Sequence, residues 1–295
     1  MEEYQYIGEI QFEQKSRVEQ IRCAFYHELS SHAFASLYLW KNYMGLKLYL
    51  GENFFTVKCD SRGKNVWFFP CGEDDKKRKF LERHLDEEGF SLCYLRDEDK
   101  VFLEQFFPGY FQIDLEEGAS EYLYDRGEYE TISGGKFSNM RKQIKRLQKE
   151  HKIEVQKLCE ENIGLAREIL YRDMQAPGKM HSSVIKIVDV VEDALQNRNE
   201  LELDGILVFV DCLAQSLVLG FPLTRDTVDG CLECSNTTVR GLSYFAKRAF
   251  FLSSEKQYRY MNAEEDLGLP GLRMAKRKMA PVCQNIVWNA CNIRR

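Results

Sequence analysis

The stretch NAEEDLGLPGLRMAKRKM, residues 262–279, sets three consecutive carboxylates, Glu264, Glu265 and Asp266, ahead of Arg273, Lys276, Arg277 and Lys278. A carboxylate beside an amide can orient an ammonium or take a proton from an attacking amine. Cations on the helix that follows can hold the anionic parts of a substrate. Asn262, Glu265 and Asp266 are therefore candidate catalytic residues, and Glu264, Arg273 and Lys276 candidate substrate-binding residues. Plain helix electrostatics offers a second explanation. Pro270 suits the first turn of a helix, whose positive end favours anions before it and cations further along. Against that, a cap uses one side chain, and here three acids follow the end of an expected strand, YRYMN, where clefts open in mixed sheets. Helical spacing puts Leu272, Ala275 and Met279 towards the core, and Arg273, Lys276 and Arg277 outward or along a cleft.

A second charged element precedes it. From Lys136 to Lys149 the chain carries Lys136, Arg141, Lys142, Lys145, Arg146 and Lys149 and no acid. Phe137, Met140, Ile144 and Leu147 share one helical face, and most of the cations gather opposite. Either the solvated face of an amphipathic helix or a phosphate-binding surface fits this pattern. On the second reading Lys136, Arg141, Lys142 and Lys145 are candidate phosphate or tRNA contacts. The preceding Ser-Gly-Gly-Lys-Phe lacks the spacing of a phosphate-binding P-loop.

Other chemistries find little support. Cys231 and Cys234 form a C-x-x-C with no second pair or histidine pair at zinc spacing, so no metal site is expected. His27, His32, His84, His151 and His181 form no H-E-x-x-H and read as surface or satisfied core histidines. The 295 residues, 44% apolar and 29% charged with a net charge of −5, describe a globular chain long enough for two domains. The net charge argues against wholesale coating of nucleic acid but leaves room for a local basic patch. The acidic N-terminal residues do not resemble a signal peptide. No apolar run spans a bilayer. A cytoplasmic chain with reduced cysteines is expected.

The elements that must position these residues alternate between helix and strand. Residues 15–50 read as helical, broken near Ser30-Ser31. LKLYLGENFFTVKCD reads as a hairpin about Gly51-Glu52-Asn53, followed by the strand NVWFFP, a solvated helix, the strand FSLCYL and a short helix stopped by Pro108. The second half repeats the order: the basic helix, KIEVQKL, two helices, a three-strand meander through GILVFVD, AQSLVLGFPL and TVDGCLECS, a helix over TTVRGLSYFAKRAFFLSS, YRYMN, a final helix, and PVCQNIVWNACN as one last strand. Two mixed α/β domains, 1–118 and 119–295, follow from this order, with an internal structural duplication.

Several of these stretches together resemble a bacterial family of uncharacterised proteins similar to the C-terminal region of phosphatidylglycerol lysyltransferase. They are Tyr122 to Tyr124, Ile132 to Phe137, Arg240-Gly241, Asn262 to Gly268, Gly271 to Lys276, and Pro281. The resemblance implies two tandem domains of the Gcn5-related N-acetyltransferase type. It also implies a relationship to enzymes that move an aminoacyl group from charged tRNA to an amine or hydroxyl acceptor, either a small molecule or a lipid headgroup. Tyr124 and Arg240 join the candidate substrate-binding residues. Acetyltransferases of this fold hold the coenzyme A pyrophosphate on an Arg/Gln-x-x-Gly-x-Gly/Ala helix start. SNTTVRGLSY lacks that glycine spacing, which favours aminoacyl-tRNA over acetyl-coenzyme A as donor. Three functions stay open at this point: an aminoacyl transferase, a non-catalytic module that binds an anionic metabolite or polymer, and an acetyl-coenzyme A enzyme.

Overall fold

The helical spacing of residues 15–50 resolves into two helices and a strand. After β1 (Tyr4–Gly8) come α1 (Lys15–Ala24) and α2 (Phe34–Met44). Gly45, at φ +61, ends α2 in the left-handed region that favours glycine. The next residues then form β2 (Leu46–Gly51), paired in a hairpin with β3 (Phe54–Cys59). β4 (Val66–Phe68), α3 (Asp74–His84), β6 (Ser91–Leu95) and α4 (Asp97–Phe106) follow where patterning places them, while β5 (Cys71–Gly72) and β7 (Phe111–Leu115) are short strands that patterning did not single out. The second half contains β8 (Glu121–Asp125), α5 (Arg126–Thr131), α6 (Ser138–Glu150), β9 (Ile153–Lys157), α7 (Ile163–Met174) and α8 (Ser182–Gln196). It continues with β10 (Asp204–Val210), β11 (Leu213–Pro222), β12 (Thr227–Ser235), α9 (Leu242–Ser253), β13 (Tyr260–Asn262), α10 (Pro270–Lys278), β14 (Cys283–Asn285) and β15 (Trp288–Asn292). This is a computed structural model. It describes residues 4–63, 65–174, 182–254 and 256–293, so His181 lies outside the described residues.

Two compact units result, in keeping with the tandem acetyltransferase-type arrangement expected above. One holds the residues up to Glu121 together with those from Asn285 onward; the other is Tyr122–Gln284. The expected division at 118/119 kept the chain's last strand with the second domain. That strand is in fact two. β14 joins the second sheet, whereas β15 pairs antiparallel with both β6 and β7 in the first. Alternation along a strand says which side is buried but not which sheet receives it.

The first sheet runs β1-β2-β3-β4-β6-β15-β7, with β5 on β3. Its core is aromatic, with Phe54, Trp67, Phe80, Phe90 and Phe102 packed together. His27 and His32, both buried, lie against each other with ring centroids 3.8 Å apart and planes tilted by 30°. His32 Nε2 meets the Phe69 carbonyl at 2.9 Å. Neither ring nitrogen of His27 has a hydrogen-bond partner among the described residues, so it is not the satisfied core histidine expected. Burial lowers both imidazoles, and the guanidinium groups of Arg96 and Arg22 add to it; His32 is pushed down to about 3 despite its carbonyl partner.

The second sheet runs β14-β8-β13-β12-β11-β10-β9. The apolar face of α6 (Phe137, Met140, Ile144) joins Leu242, Ala246 and Phe250 of α9 and the sheet in one core. β11 and β12 slip register between the pairs Leu219↔Leu232 and Phe221↔Asp229, so Gly220 faces both Gly230 and Cys231. Such a bulge bends the strand that carries it. A Cβ on Gly220 would lie 2.0 Å from the Asp229 carbonyl oxygen and 2.5 Å from Phe250 Cζ.

Two outcomes follow. Gly220→Ala lowers stability by about 1–3 kcal/mol, the ordinary cost of overpacking, read as a lower urea midpoint. The neutral His32 stabilises the fold fully above about pH 6.5, and this is lost as pH falls towards 3, because the unfolded chain takes the proton first. Between pH 7 and 4.5 that loss is roughly 2–3 kcal/mol. His32→Gln should flatten the dependence of the urea midpoint over that range.

Candidate active site

A parallel pairing in the second unit's sheet joins β12 to β13 at Thr227↔Tyr260, Val228↔Met261 and Asp229↔Asn262. β13 ends there, while β12 continues to Ser235. The two strands therefore part immediately after Asp229 and Asn262, both wholly buried. On the far side β13 pairs with β8, where Tyr122 and Tyr124 alternate onto one buried face.

The chain leaving the fork is wound tightly. Asn262 Oδ1 accepts from the Glu264 amide at 2.8 Å. Glu264 (φ +57) and Leu267 (φ +54) take left-handed conformations without being glycine, which costs energy and needs support from neighbours. Asp266 supplies part of it. Its carboxylate accepts from Tyr122 Oη at 2.7 Å, the Gly268 amide at 2.9 Å, Arg273 Nε at 2.8 Å and Arg273 Nη2 at 3.2 Å. Burial alone would raise this carboxyl, but Arg273, Tyr122 and the Gly268 amide outweigh it and hold it below the usual carboxylate range.

The acidic and basic ends of the opening stretch thus do meet, in a division of labour that spacing does not reveal. Asn262 and Asp266 are fully buried and spend their oxygens on the loop, so they shape the site and are not open to a substrate. Tyr124 is also wholly buried, its hydroxyl donating to the Lys276 carbonyl at 3.0 Å, a strut and not a substrate contact. Tyr129, which patterning did not single out, donates to the Met279 carbonyl at 2.8 Å and holds the other end of α10. Glu264 and Glu265 stay half-buried.

Lys276 departs most from expectation. Read as outward or cleft-lining, it is 6% exposed, while Ala275, expected inside, is exposed. Its ammonium-bearing end turns back to the fork, donating to the carbonyls of Ala263 and, at 3.3 Å, Glu264. Burial and the charge of Lys247 lower its pKa, against the pull of Glu264, Glu265 and Asp229. Lys247, on α9, is itself paired with Glu233 of β12 at 3.0 Å. Burial would raise the Glu233 carboxyl, but Lys247 and the hydroxyls of Ser243 and Ser235 bring it below its ordinary value.

The basic helix is less free than its composition. Lys136 pairs with Glu128 at 2.6 Å. Arg141 donates to the carbonyls of Ile132 and Gly134 and so closes the Gly-rich turn before the helix. Arg146 pairs with Glu150 at 2.9 Å. Lys142, Lys145 and Lys149 remain on the exposed face. The glycine of Arg240-Gly241 has a packing reason: at φ +88, its Cβ would fall 2.6 Å from the Gln143 carbonyl of α6. Arg240 itself is exposed.

Asp266→Asn should lower stability at neutral pH by about 3 kcal/mol, the cost of breaking a largely buried pair. Because the folded carboxyl lies below its unfolded value, its contribution is present above about pH 4 and lost as pH falls through the folded value. Urea titrations at pH 7 and pH 3 should therefore show a smaller difference for the variant than for the parent chain.

Among the described residues no helix is long and apolar enough to cross a membrane, and no group of three or more His, Cys, Asp or Glu side chains is placed to hold a metal ion. Residues 24–288 match the family model described as phosphatidylglycerol lysyltransferase, C-terminal. A search of curated proteins finds no match. A conserved protein of unknown function from Bacteroides thetaiotaomicron shares the fold with a TM-score of 0.89 at 20% identity, over 98% of this chain and 100% of that one. L-PGS from Bacillus licheniformis has a TM-score of 0.63 at 14% identity, over 99% and 95% of the two chains. Family and fold together suggest an acyltransferase-like function. With the match extending over most of its length, the chain belongs to the phosphatidylglycerol lysyltransferase C-terminal family.

Proposed function

We propose that the second unit transfers an aminoacyl group from charged tRNA to an amine or hydroxyl acceptor at the β12/β13 fork. The observation that carries the reading is the cluster beyond that fork. Half-buried Glu264 and Glu265 and the buried Lys276 act on one another there, on a loop held in shape by Asn262, Asp266 and Arg273. The donor ester is already activated, so the protein's task is to hold donor and acceptor together and accommodate charge that develops at the carbonyl. On this reading Glu265 orients an acceptor ammonium, and Arg240 and the exposed row Lys142, Lys145 and Lys149 meet phosphates. Lys136 and Arg141 contribute less to that surface than expected, because their charges are engaged within the unit.

The reading is tested by incubating the chain with a panel of charged tRNAs and, in parallel, acyl thioesters including acetyl-coenzyme A, with amine and hydroxyl acceptors. Aminoacyl transfer without acetyl transfer is the expected result. Acetyl transfer alone would replace it with the coenzyme A reading, and ligand binding with no transfer at all would leave a non-catalytic module. Lys142→Ala/Lys145→Ala/Lys149→Ala should weaken tRNA binding and reduce the salt slope of log K by about 2 to 3, as expected for three lost phosphate contacts. An unchanged slope would take the phosphates off this helix.

A further inference from the structure

Water-facing apolar side chains are ordinary when single and informative when grouped. Leu267, Leu269 and Met274 are each more than half exposed, and Pro270, Gly271 and Ala275 beside them are exposed too. From Leu267 to Ala275 the one charged residue is Arg273, whose side chain turns back onto Asp266. The turn is tied down. The Gly268 amide donates to the Asp266 carboxylate and the Leu269 amide to the Asp266 carbonyl, both at 2.9 Å. The bonds that shape the turn therefore also hold its leucines outward.

We propose that this apolar lip, with the start of α10, is a peripheral docking face for an anionic lipid bilayer. On α10, Pro270 and Met274 share one exposed row, and Gly271 and Ala275 the next. Arg277 and Lys278, both exposed, continue those rows towards the far end of the helix. They lie three and four residues beyond Met274, about 5 Å along the axis. An interfacial element sinks its apolar side roughly 5–10 Å into the boundary between headgroups and acyl chains. With the leucines and Met274 at that boundary, Arg277 and Lys278 reach the level of the lipid phosphates. Pro270 also removes one amide donor that the first turn would otherwise carry towards the lipid.

Other occupants fit this face less well. Nucleic acid gains nothing from three apolar side chains. A second copy offers no answering charge, because residues 267–278 include no acid. The contact is peripheral, since among the described residues no helix is long and apolar enough to cross a membrane. It stands apart from the acyl-transfer reading and needs no turnover.

The test sediments the full chain with vesicles of phosphatidylcholine alone, and of phosphatidylcholine with an equal part of phosphatidylserine. Binding to the mixed vesicles and not to the neutral ones is expected, weakened by added salt. Leu267→Asn/Leu269→Gln/Met274→Gln should lower the partition coefficient roughly tenfold or more. Asparagine tolerates the left-handed backbone of Leu267, and all three side chains face water, so the urea midpoint should hold. Lys278→Ala should lower partitioning about fivefold, the usual worth of one cation at an anionic surface. Arg277 is left intact because it also lies against the Tyr122 hydroxyl. Failure to sediment with the mixed vesicles, or equal binding by the apolar variant, would overturn the proposal. Loss of binding only in Lys142→Ala/Lys145→Ala/Lys149→Ala would overturn it too, by moving the bilayer to α6. So would a dimer that the apolar variant dissolves, with no vesicle binding, which would make the face an interface between copies. The transfer assay reads the other proposal separately: vesicle binding without transfer would sink that one alone, and transfer without vesicle binding this one alone.

Discussion

The parallel contact between β12 and β13 lasts only three residue pairs, and the site depends on its ending where it does. A parallel ladder that ran on would close the sheet over Asp229 and Asn262. Two features stop it. The bulge opposite Gly220 bends β12. The chain after Asn262 then turns at once into left-handed residues that cannot continue a strand. That turn is unfavourable in isolation, and it persists because buried polar bonds over-determine it: Asn262 onto the Glu264 amide, Asp266 onto the Gly268 amide, and Lys276 onto two carbonyls. The strain and the polar scaffold are two sides of one arrangement.

The distribution of charge follows from the same economy of buried polar groups. A cation near a helix end or a tight turn is drawn to exposed carbonyls when no water competes for them. Arg126 donates to the carbonyls of Phe251 and Leu252, Arg248 to those of Tyr129 and Glu130, and Arg141 to those of Ile132 and Gly134. These cations act as fasteners between elements of the second unit. A surface count of lysine and arginine therefore overstates what faces a ligand, and the exposed Lys142, Lys145 and Lys149 carry more of any external electrostatics than the composition of α6 implies.

Likeness at 14% and 20% identity with retained folds fits this view. Core volume and alternation tolerate many substitutions. The polar struts do not, since leaving one partner buried and unsatisfied costs more than either apolar replacement. Tyr122, Tyr124 and Tyr129 belong to that class: each is buried, and each places its hydroxyl on the segment from Asp266 to Met279.

Local patterning determined the elements. The hairpin of β2 and β3, the amphipathic α6 with Phe137, Met140, Ile144 and Leu147 inside, and the proline-started α10 were all legible, because period and turn chemistry are properties of adjacent residues. The nearness of the acids around residue 265 to the cations after 272 was legible too, since few residues separate them. Tertiary structure alone decided that Lys276 turns inward and Ala275 outward, that Asp266 is occupied while Glu265 stays half-open, and that the final strand leaves the second unit for the first. Each of those outcomes is set by partners distant in the chain: the carbonyls at the fork, the Tyr122 hydroxyl, and the facing edges of β6 and β7. A residue's type states which bonds it can make, and only the assembled fold brings the atoms that accept them.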